Sequence, residues 1–253
     1  MSHDTWWFQD PVCGGFRSTS LFPSDSVLTI INVVCAADSH GWQLGEHNEW
    51  CKTTLFELAL HIPFMIRDPR PSAPYGHSGA VTAAFAENID IYRTLADLSG
   101  LEAKVESSVD GVSLAPLLLN PDHTQNPKAK HAAFSQQAHC LIDPHTGLAI
   151  DVWTVADSCT MTPRESLGFM GYSIRTNEWR LTAWLQWDGE ALQANWSAIN
   201  ATELYNHTGD DGLTLSALDD YENDNVAHLN PGVVSSLMAQ LRGHFNPLEP
   251  YGL

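Results

Sequence analysis

The sequence predicts an α/β region followed by a smaller α+β region. Residues 27–34 (VLTIINVV) form an apolar, β-branched run, which is typical of a strand buried on both faces. Residues 168–176 and 178–187 are rich in aromatic and β-branched residues and flank Asn177, which predicts an antiparallel hairpin. Between these regions, residues 120–130 (NPDHTQNPKAK) are polar and form the best candidate boundary.

The elements expected before this boundary are two strands and one helix. Residues 61–66 form a second short apolar run and predict a strand, although Pro63 weakens that interpretation. Residues 80–99 predict a helix that ends at Gly100. Its expected buried face carries apolar residues at helical spacing: Phe85, Ile89, Tyr92 and Ala96.

After the hairpin, residues 209–212 (GDDG) predict a turn, and residues 231–245 predict a closing amphipathic helix. That helix carries apolar residues every fourth position: Val233, Leu237, Leu241 and Phe245. Residues 1–25 show no clear periodicity. We therefore divide the chain into an unmatched segment 1–25, an α/β region 26–125 and an α+β region 126–253.

Composition excludes several classes of partner. The 253 residues carry a net charge of −18, from 12 basic and 30 acidic residues, which argues against nucleic acid and against an anionic membrane surface. No stretch reaches the roughly 18 apolar residues of a membrane span. The first residues lack the basic and apolar regions of a signal peptide.

Two features nevertheless suggest a secretory history. Three glycosylation sequons begin at Asn195, Asn200 and Asn206. Cys140 and Cys159 flank a loop and could pair in an oxidising compartment, while two free thiols are an equally good interpretation.

The residues most suggestive of chemistry follow the first predicted strand. Asp38 and His40 could hold a metal ion there, and Lys52 could neutralise an anion. Each of these residues taken alone is more often an ordinary surface residue. His47 and Cys51, four apart, do not make a metal site.

A group of tryptophans admits two interpretations. Trp179, Trp184, Trp187 and Trp196 could stack on a sugar or could form the aromatic core of a small sheet. We favour the core.

Several ordered motifs resemble the sulfatases, in particular the iduronate-2-sulfatase branch. Residues 40–52 (HGWQLGEHNEWCK) resemble the family segment S-D-H-G-W-x-L-G-E-H-x-E-W-x-K. Further matches are residues 88–101, 110–118 (DGVSLAPLL), 171–176 (GYSIRT) and 203–207 (ELYNH) with 221–223 (YEN). The resemblance runs from about residue 26 to the end of the chain.

This resemblance implies an alkaline-phosphatase-like α/β sandwich, of which the chain is the C-terminal portion, with a smaller C-terminal sheet. It implies hydrolysis of sulfate esters of glycosaminoglycans in the lysosome, with a calcium ion that polarises the sulfate. By match, His40 is a catalytic residue in the metal and sulfate site, Lys52 binds the sulfate, and Asp38 and His40 are the metal ligands.

The chain also departs from the family pattern. Sulfatases convert the Cys of a C-x-P-S-R motif to formylglycine, and no such motif is present; residues 13–17 (CGGFR) lack its Pro and Ser. The family places Asp directly before the His, whereas Ser39 stands here and Asp38 is one position early. We therefore expect a fragment that lacks the N-terminal sulfatase half and is inactive alone. Alternatives are a non-catalytic sulfated-glycan-binding module and a related phosphohydrolase.

Overall fold

A computed structural model describes most of the chain. The described residues are 34–37, 40–68, 79–122, 124, 126, 129–140, 159, 162–214 and 221–245. All described residues belong to one compact unit, Ile31–Leu253. Residues 1–25 and most of the predicted strand 27–34 lie outside the described residues, so the predictions for them stay predictions. The division near residue 125 stays a prediction.

The elements before residue 130 are short. They are β1 (Val34–Ala37), β2 (Gln43–Leu44), β3 (Trp50–Cys51), α1 (Glu57–Leu60), β4 (Phe64–Arg67), α2 (Asp90–Leu98) and α3 (Ala115–Leu119). Strand β4 confirms the strand predicted over residues 61–66 and begins directly after Pro63. It pairs antiparallel with β1, with Val34 opposite Arg67 and Ala37 opposite Phe64.

The helix predicted over residues 80–99 is wrong in its first half, because α2 begins only at Asp90. Residues before Asp90 form hydrogen bonds to distant parts of the chain instead of to a helix of their own. The Thr82 hydroxyl donates to the Pro121 carbonyl at 2.7 Å, and Phe85 forms an isolated antiparallel bridge with Lys130. These non-local bonds hold the segment extended and override its helical periodicity.

The predicted buried face of this helix is also wrong. Ile89 and Tyr92 are 48% and 60% exposed, whereas Asp90, Thr94 and Leu98 are buried. The Asp90 carboxylate accepts hydrogen bonds from the backbone N–H groups of Glu87 and Val112, both at 2.8 Å. A pattern that counts only apolar side chains misses such a polar buried face. The stop at Gly100 is confirmed, with φ of 69°.

An antiparallel sheet forms the second part of the described fold. Its order is β5 (Ala132–Cys140), β6 (Leu167–Thr176), β7 (Trp179–Asp188) and β8 (Gln193–Asn206). The predicted hairpin is confirmed as β6 and β7, whose register places Arg175 opposite Arg180 across the turn at Asn177.

Helix α4 (Pro231–Phe245) covers this sheet and confirms the predicted closing helix. Leu237 and Leu241 are buried in one core with a group of fully buried sheet residues: Ile174, Leu181, Ala183, Leu185 and Leu204. Burying each leucine contributes roughly 1.5–3 kcal/mol. Trp179, Trp187 and Trp196 pack against the same core, which confirms the core interpretation for these three. The fourth, Trp184, is not part of this core, and its indole N–H donates to the Glu203 Oε1 at 2.8 Å.

Cys140 and Cys159 form a disulfide, which decides between the two alternatives for these thiols. Within the part of the chain that the structure describes, no helix has the length and apolarity needed to cross a membrane.

Candidate functional site: a lysine–histidine contact and a buried ion-pair cluster

His40 is held against helix α1 by the residue that follows it. The Gly41 N–H donates to the Ala59 carbonyl at 2.8 Å, and a Cβ at Gly41 would lie 1.8 Å from the Leu58 carbonyl oxygen. Only glycine lets the backbone approach this closely. Asp38 and Ser39 lie outside the described residues, so the displaced acid of the motif has no structural account.

The hairpin of β2 and β3 returns the chain to His40. Gln43 pairs with Cys51 and Leu44 with Trp50, so that Lys52 emerges beside the imidazole. The Lys52 Nζ contacts the His40 Nε2, and it lies 5.9 Å from the centre of the Trp42 ring. Both side chains are half-buried. The two residues that the sequence singled out twelve positions apart are therefore neighbours, although their roles stay predictions.

The turn of this hairpin is fixed by unusual backbone and by packing. Gly45, His47 and Asn48 have φ of 125°, 55° and 60°, and the His47 ring stacks on Phe56 at 4.1 Å between centres. His47 thus contributes to the packing of this turn. The buried Gln43 side chain accepts from the Thr54 hydroxyl at 2.7 Å, which anchors the hairpin base.

A Lys ammonium in contact with an imidazole suits an anion better than a cation. The ammonium is a point charge with three donors, and an imidazole N–H is a further donor. Calcium needs six to eight oxygen ligands. Among the described residues, no group of three or more potential His, Cys, Asp or Glu ligands includes His40. The calcium site and the metal role of Asp38 and His40 therefore stay predictions.

Helix α1, which accepts the Gly41 N–H at Ala59, also contributes Glu57 to a buried cluster of charged residues that sequence reasoning missed. Glu57 is the first residue of α1, and one oxygen of its carboxylate, Oε2, contacts two arginines. The Arg180 Nη2 forms an ion pair with this oxygen, and the Arg175 Nε lies 3.2 Å from it. The Arg180 Nε contacts Glu222, whose carboxylate also accepts the Glu57 N–H at 2.5 Å. The cluster therefore ties the segment behind Lys52 to the sheet.

His207 completes this cluster and is fully buried. Its Nδ1 lies 3.0 Å from the Asp210 Oδ2, and its Nε2 lies 3.1 Å from the Glu222 Oε1. The Asp210 carboxylate also receives the Arg175 Nη2 at 2.6 Å. Every carboxylate of the cluster thus has a cationic or imidazole partner.

The same residues include the one group of potential metal ligands found among the described residues. One ligand atom each from Glu57, His207 and Glu222 lies within 4.8 Å of the others. A divalent cation does not fit this group, because the Arg180 guanidinium already bridges the two carboxylates. We interpret the cluster as a structural ion-pair network.

The arginines control the ionisation of both glutamates. Burial on its own would raise the pKa of Glu57, but the charge of Arg180, the hydrogen bond with His61 and the charge of Arg175 outweigh it and lower that pKa. The pKa of Glu222 is lowered in the same way, since Arg180 and the His207 hydrogen bond outweigh burial. Both carboxylates are therefore held in the charged form inside the protein.

A signal for this cluster was present in the sequence. Arg175 and Arg180 lie next to the apolar residues Ile174 and Leu181 in the two strands of the predicted hairpin, and a cation buried there needs acidic partners. The sequence does not say which acids these are, because Glu57 lies 118 and 123 positions away from them.

Comparison with known proteins gives a consistent result. No protein-family model matches the chain. The chain is 29% identical to mouse iduronate 2-sulfatase over 208 residues, which is 68% of this chain and 36% of that protein. It is 27% identical to the human iduronate 2-sulfatase (72% of this chain, 37% of that protein) and 25% identical to Xenopus laevis arylsulfatase K (70% and 28%).

A solved structure extends the likeness to the fold. The crystal structure of a putative sulfatase from Bacteroides thetaiotaomicron superposes with a TM-score of 0.54 and 19% identity, covering 84% of this chain and 35% of that one. The chain spans about a third of the length of the relatives it matches. The sulfatase resemblance predicted from the sequence is thereby confirmed: the chain has the sulfatase α/β fold, and its relatives include iduronate 2-sulfatases and arylsulfatase K.

Proposed function

We propose that the chain is the C-terminal portion of a sulfuric ester hydrolase similar to iduronate 2-sulfatase and that His40 and Lys52 bind the sulfate group of a sulfated glycosaminoglycan. The observation that carries the proposal is the contact between the Lys52 Nζ and the His40 Nε2. The two nitrogens come from separate parts of the chain, and a sulfate that displaced their mutual contact could accept hydrogen bonds from the Lys52 ammonium and from an imidazole N–H of His40.

The chemistry assigned to these residues is electrostatic. In sulfate ester hydrolysis a water oxygen ends on sulfur, the bond from sulfur to the sugar oxygen breaks, and that oxygen takes a proton. The Lys52 ammonium would offset negative charge on the sulfate oxygens, and the catalytic role of His40 would be to hydrogen-bond the same group. Metal binding by Asp38 and His40, which the resemblance implies, would add calcium as a further positive charge.

The proposal includes a location and a partner. The relatives named iduronate 2-sulfatase favour a lysosomal or secreted setting. Since the chain spans 36% of that relative, the remaining sulfatase region is the expected partner that supplies the nucleophile. The non-catalytic glycan-binding module stays the alternative, supported by the 40% exposed Trp42 beside Lys52.

We expect no turnover by the chain alone. The 253 residues contain no C-x-P-S-R motif, so no formylglycine can form and no covalent sulfate intermediate is available. The measurement is release of product from an aryl sulfate and from a sulfated iduronide. A rate above that of a heat-inactivated sample would contradict the expectation.

We expect Lys52→Gln to weaken binding of a sulfated disaccharide at least tenfold. A hydrogen bond to a charged group contributes about 1.5–3 kcal/mol, and about 1.4 kcal/mol is a factor of ten. Binding is measured by calorimetry at low salt. The matched control is Lys104→Gln, which removes an exposed lysine of a short helical turn elsewhere and should leave affinity unchanged.

Equal losses in the two variants would mean that binding depends only on overall charge and would overturn the assignment of Lys52. If the wild-type chain bound a non-sulfated disaccharide as tightly as the sulfated one, the proposed specificity for sulfate would be overturned.

A further inference from the structure

The buried ring of His207 has a carboxylate oxygen at each of its two nitrogens. The Nδ1 lies 3.0 Å from the Asp210 Oδ2, and the Nε2 lies 3.1 Å from the Glu222 Oε1. An ionised carboxylate only accepts hydrogen bonds, whereas a neutral imidazole donates through one nitrogen and accepts through the other. A neutral ring would therefore turn a lone pair toward one of the two carboxylates, and only the imidazolium donates to both.

The other contacts of these two carboxylates are all with donors. The Asp210 Oδ2 also accepts from the Arg175 Nη2 at 2.6 Å, and its Oδ1 accepts the Gly212 N–H at 2.8 Å. The Glu222 oxygen that faces the imidazole also accepts from the Arg180 Nε, and the second oxygen accepts a backbone N–H at 2.5 Å. Neither carboxylate therefore needs a proton of its own to satisfy its neighbours.

The charge balance of the cluster leads to the same protonation state. Its three carboxylates belong to Glu57, Asp210 and Glu222, and its two guanidiniums belong to Arg175 and Arg180. With a neutral imidazole, these described residues would hold one more negative charge than positive charge. All five side chains are at most 8% exposed, and an uncompensated charge in such a place is costly. A protonated imidazole balances the charges.

The remaining groups around this ring do not supply the missing proton. The Tyr221 ring stacks on the imidazole at 5.5 Å between centres, and the carbonyl of the exposed Glu178 accepts the His207 N–H at 2.7 Å. The His61 Nδ1 lies 3.3 Å from the Glu57 Oε1, and its side chain is 27% exposed. A neutral His61 that carries its proton on Nδ1 satisfies this single contact.

We propose that His207 is a buried proton-binding site of the fold, whose ring carries a proton on both nitrogens in the folded chain at neutral pH. In the unfolded chain His207 is an ordinary histidine, which is neutral above about pH 6.5. Folding above this pH therefore takes up one proton from water. The bound proton joins the segment after β8 to Glu222 and completes the ion-pair cluster.

The direction of the pH dependence follows from this proton. Where the folded chain binds more protons than the unfolded chain, stability falls as the pH rises. The contribution of His207 is fully present below about pH 6.5 and is lost as the pH rises until the folded chain also gives up the proton. For one proton, the unfolding equilibrium constant rises by about tenfold per pH unit in this interval. An acidic medium therefore favours the folded chain.

The direct test is nitrogen NMR of the full chain labelled at its histidines. It is recorded at about pH 7.5, roughly one unit above the usual pKa of histidine. We expect both ring nitrogens of His207 to carry a proton, with the chemical shifts of an imidazolium. The signal is assigned by its change in Asp210→Asn, which keeps the ring in the chain. A His207 ring with one unprotonated nitrogen would overturn the proposal.

The second test is urea unfolding from about pH 7 to about pH 8.5 in the wild type and two variants. His207→Gln removes the titrating ring. Asp210→Asn keeps the ring but replaces one carboxylate by an amide that can donate to a neutral imidazole. We expect the unfolding constant to rise with pH less steeply in both variants, by up to about tenfold per pH unit. A purely structural loss would lower stability at every pH and leave this slope unchanged.

The matched control is His228→Gln, at an exposed position of a short helical turn, which should keep the wild-type slope. Equal slopes in the wild type, His207→Gln and Asp210→Asn would overturn the proposal. A slope reduced as much in the control would also overturn it, because the pH dependence would then not come from the buried ring. No readout involves sulfate binding, so a failure here is distinct from a failure of the proposed function.

Discussion

Replacing Arg180 by methionine is expected to lower the free energy of unfolding by about 3–5 kcal/mol, the range for breaking a buried ion pair on one side. The side chains of Arg180, Glu57 and Glu222 are 3%, 8% and 0% exposed. Methionine fills most of the volume but leaves both carboxylates without their shared guanidinium. The carboxylates must then either stay charged without full compensation or take up protons.

The measurement is urea unfolding followed by tryptophan fluorescence, with thermal unfolding as a second probe. For a domain of this size each kcal/mol corresponds to roughly 2–4 °C, so the midpoint should fall by about 6–20 °C. Arg164→Met is the matched control, since Arg164 is exposed and contributes only its backbone carbonyl, to Trp187. A loss in Arg180→Met no larger than in this control would contradict the role of the cluster.

The variant Arg180→Lys keeps the experiment informative if Arg180→Met does not fold. Lysine retains the charge but cannot bridge Glu57 and Glu222 with the two edges of a planar group. We therefore expect a loss between those of the wild type and the methionine variant. A lysine variant as stable as the wild type would mean that charge alone, without the guanidinium geometry, accounts for the cluster.

The elements that the sequence predicted well are those whose signal is local. The hairpin of β6 and β7 and the helix Pro231–Phe245 each bury one face on a single core, so apolar periodicity and turn residues identify them. Helix α2 was half wrong because Thr82 and Phe85 bond to residues about 40 positions away. Such distant hydrogen bonds leave no local trace in the sequence.

The candidate site divides in the same way. His40 and Lys52 were identified from a segment of thirteen residues, and a two-strand hairpin is enough to bring them together. The ion-pair cluster draws on Glu57, two sheet arginines and Glu222, which lie as many as 165 positions apart. Long-range charge pairing of this kind depends on the tertiary fold, so the sequence analysis did not identify the cluster.

Gly41 links the fold to the site, and Gly41→Ala is expected to reduce binding of a sulfated disaccharide at least tenfold. An alanine Cβ would overlap the Leu58 carbonyl oxygen, so the backbone must move and carry His40 with it. Losing the hydrogen bond from one donor to a charged group costs about 1.5–3 kcal/mol, which is tenfold or more in affinity. Forcing extra volume against the backbone should also lower stability by about 1–3 kcal/mol.

The matched control is Gly243→Ala, at an exposed position of α4 where a Cβ meets no atom within 4 Å. That variant should bind as the wild type does and gain up to about 1 kcal/mol in stability, because alanine is the better helix former. Calorimetry and urea unfolding measure both quantities on both variants. If Gly41→Ala lost stability but kept full affinity, helix α1 would have moved to relieve the overlap while His40 stayed in place. The close backbone approach at Gly41 would then not set the position of His40.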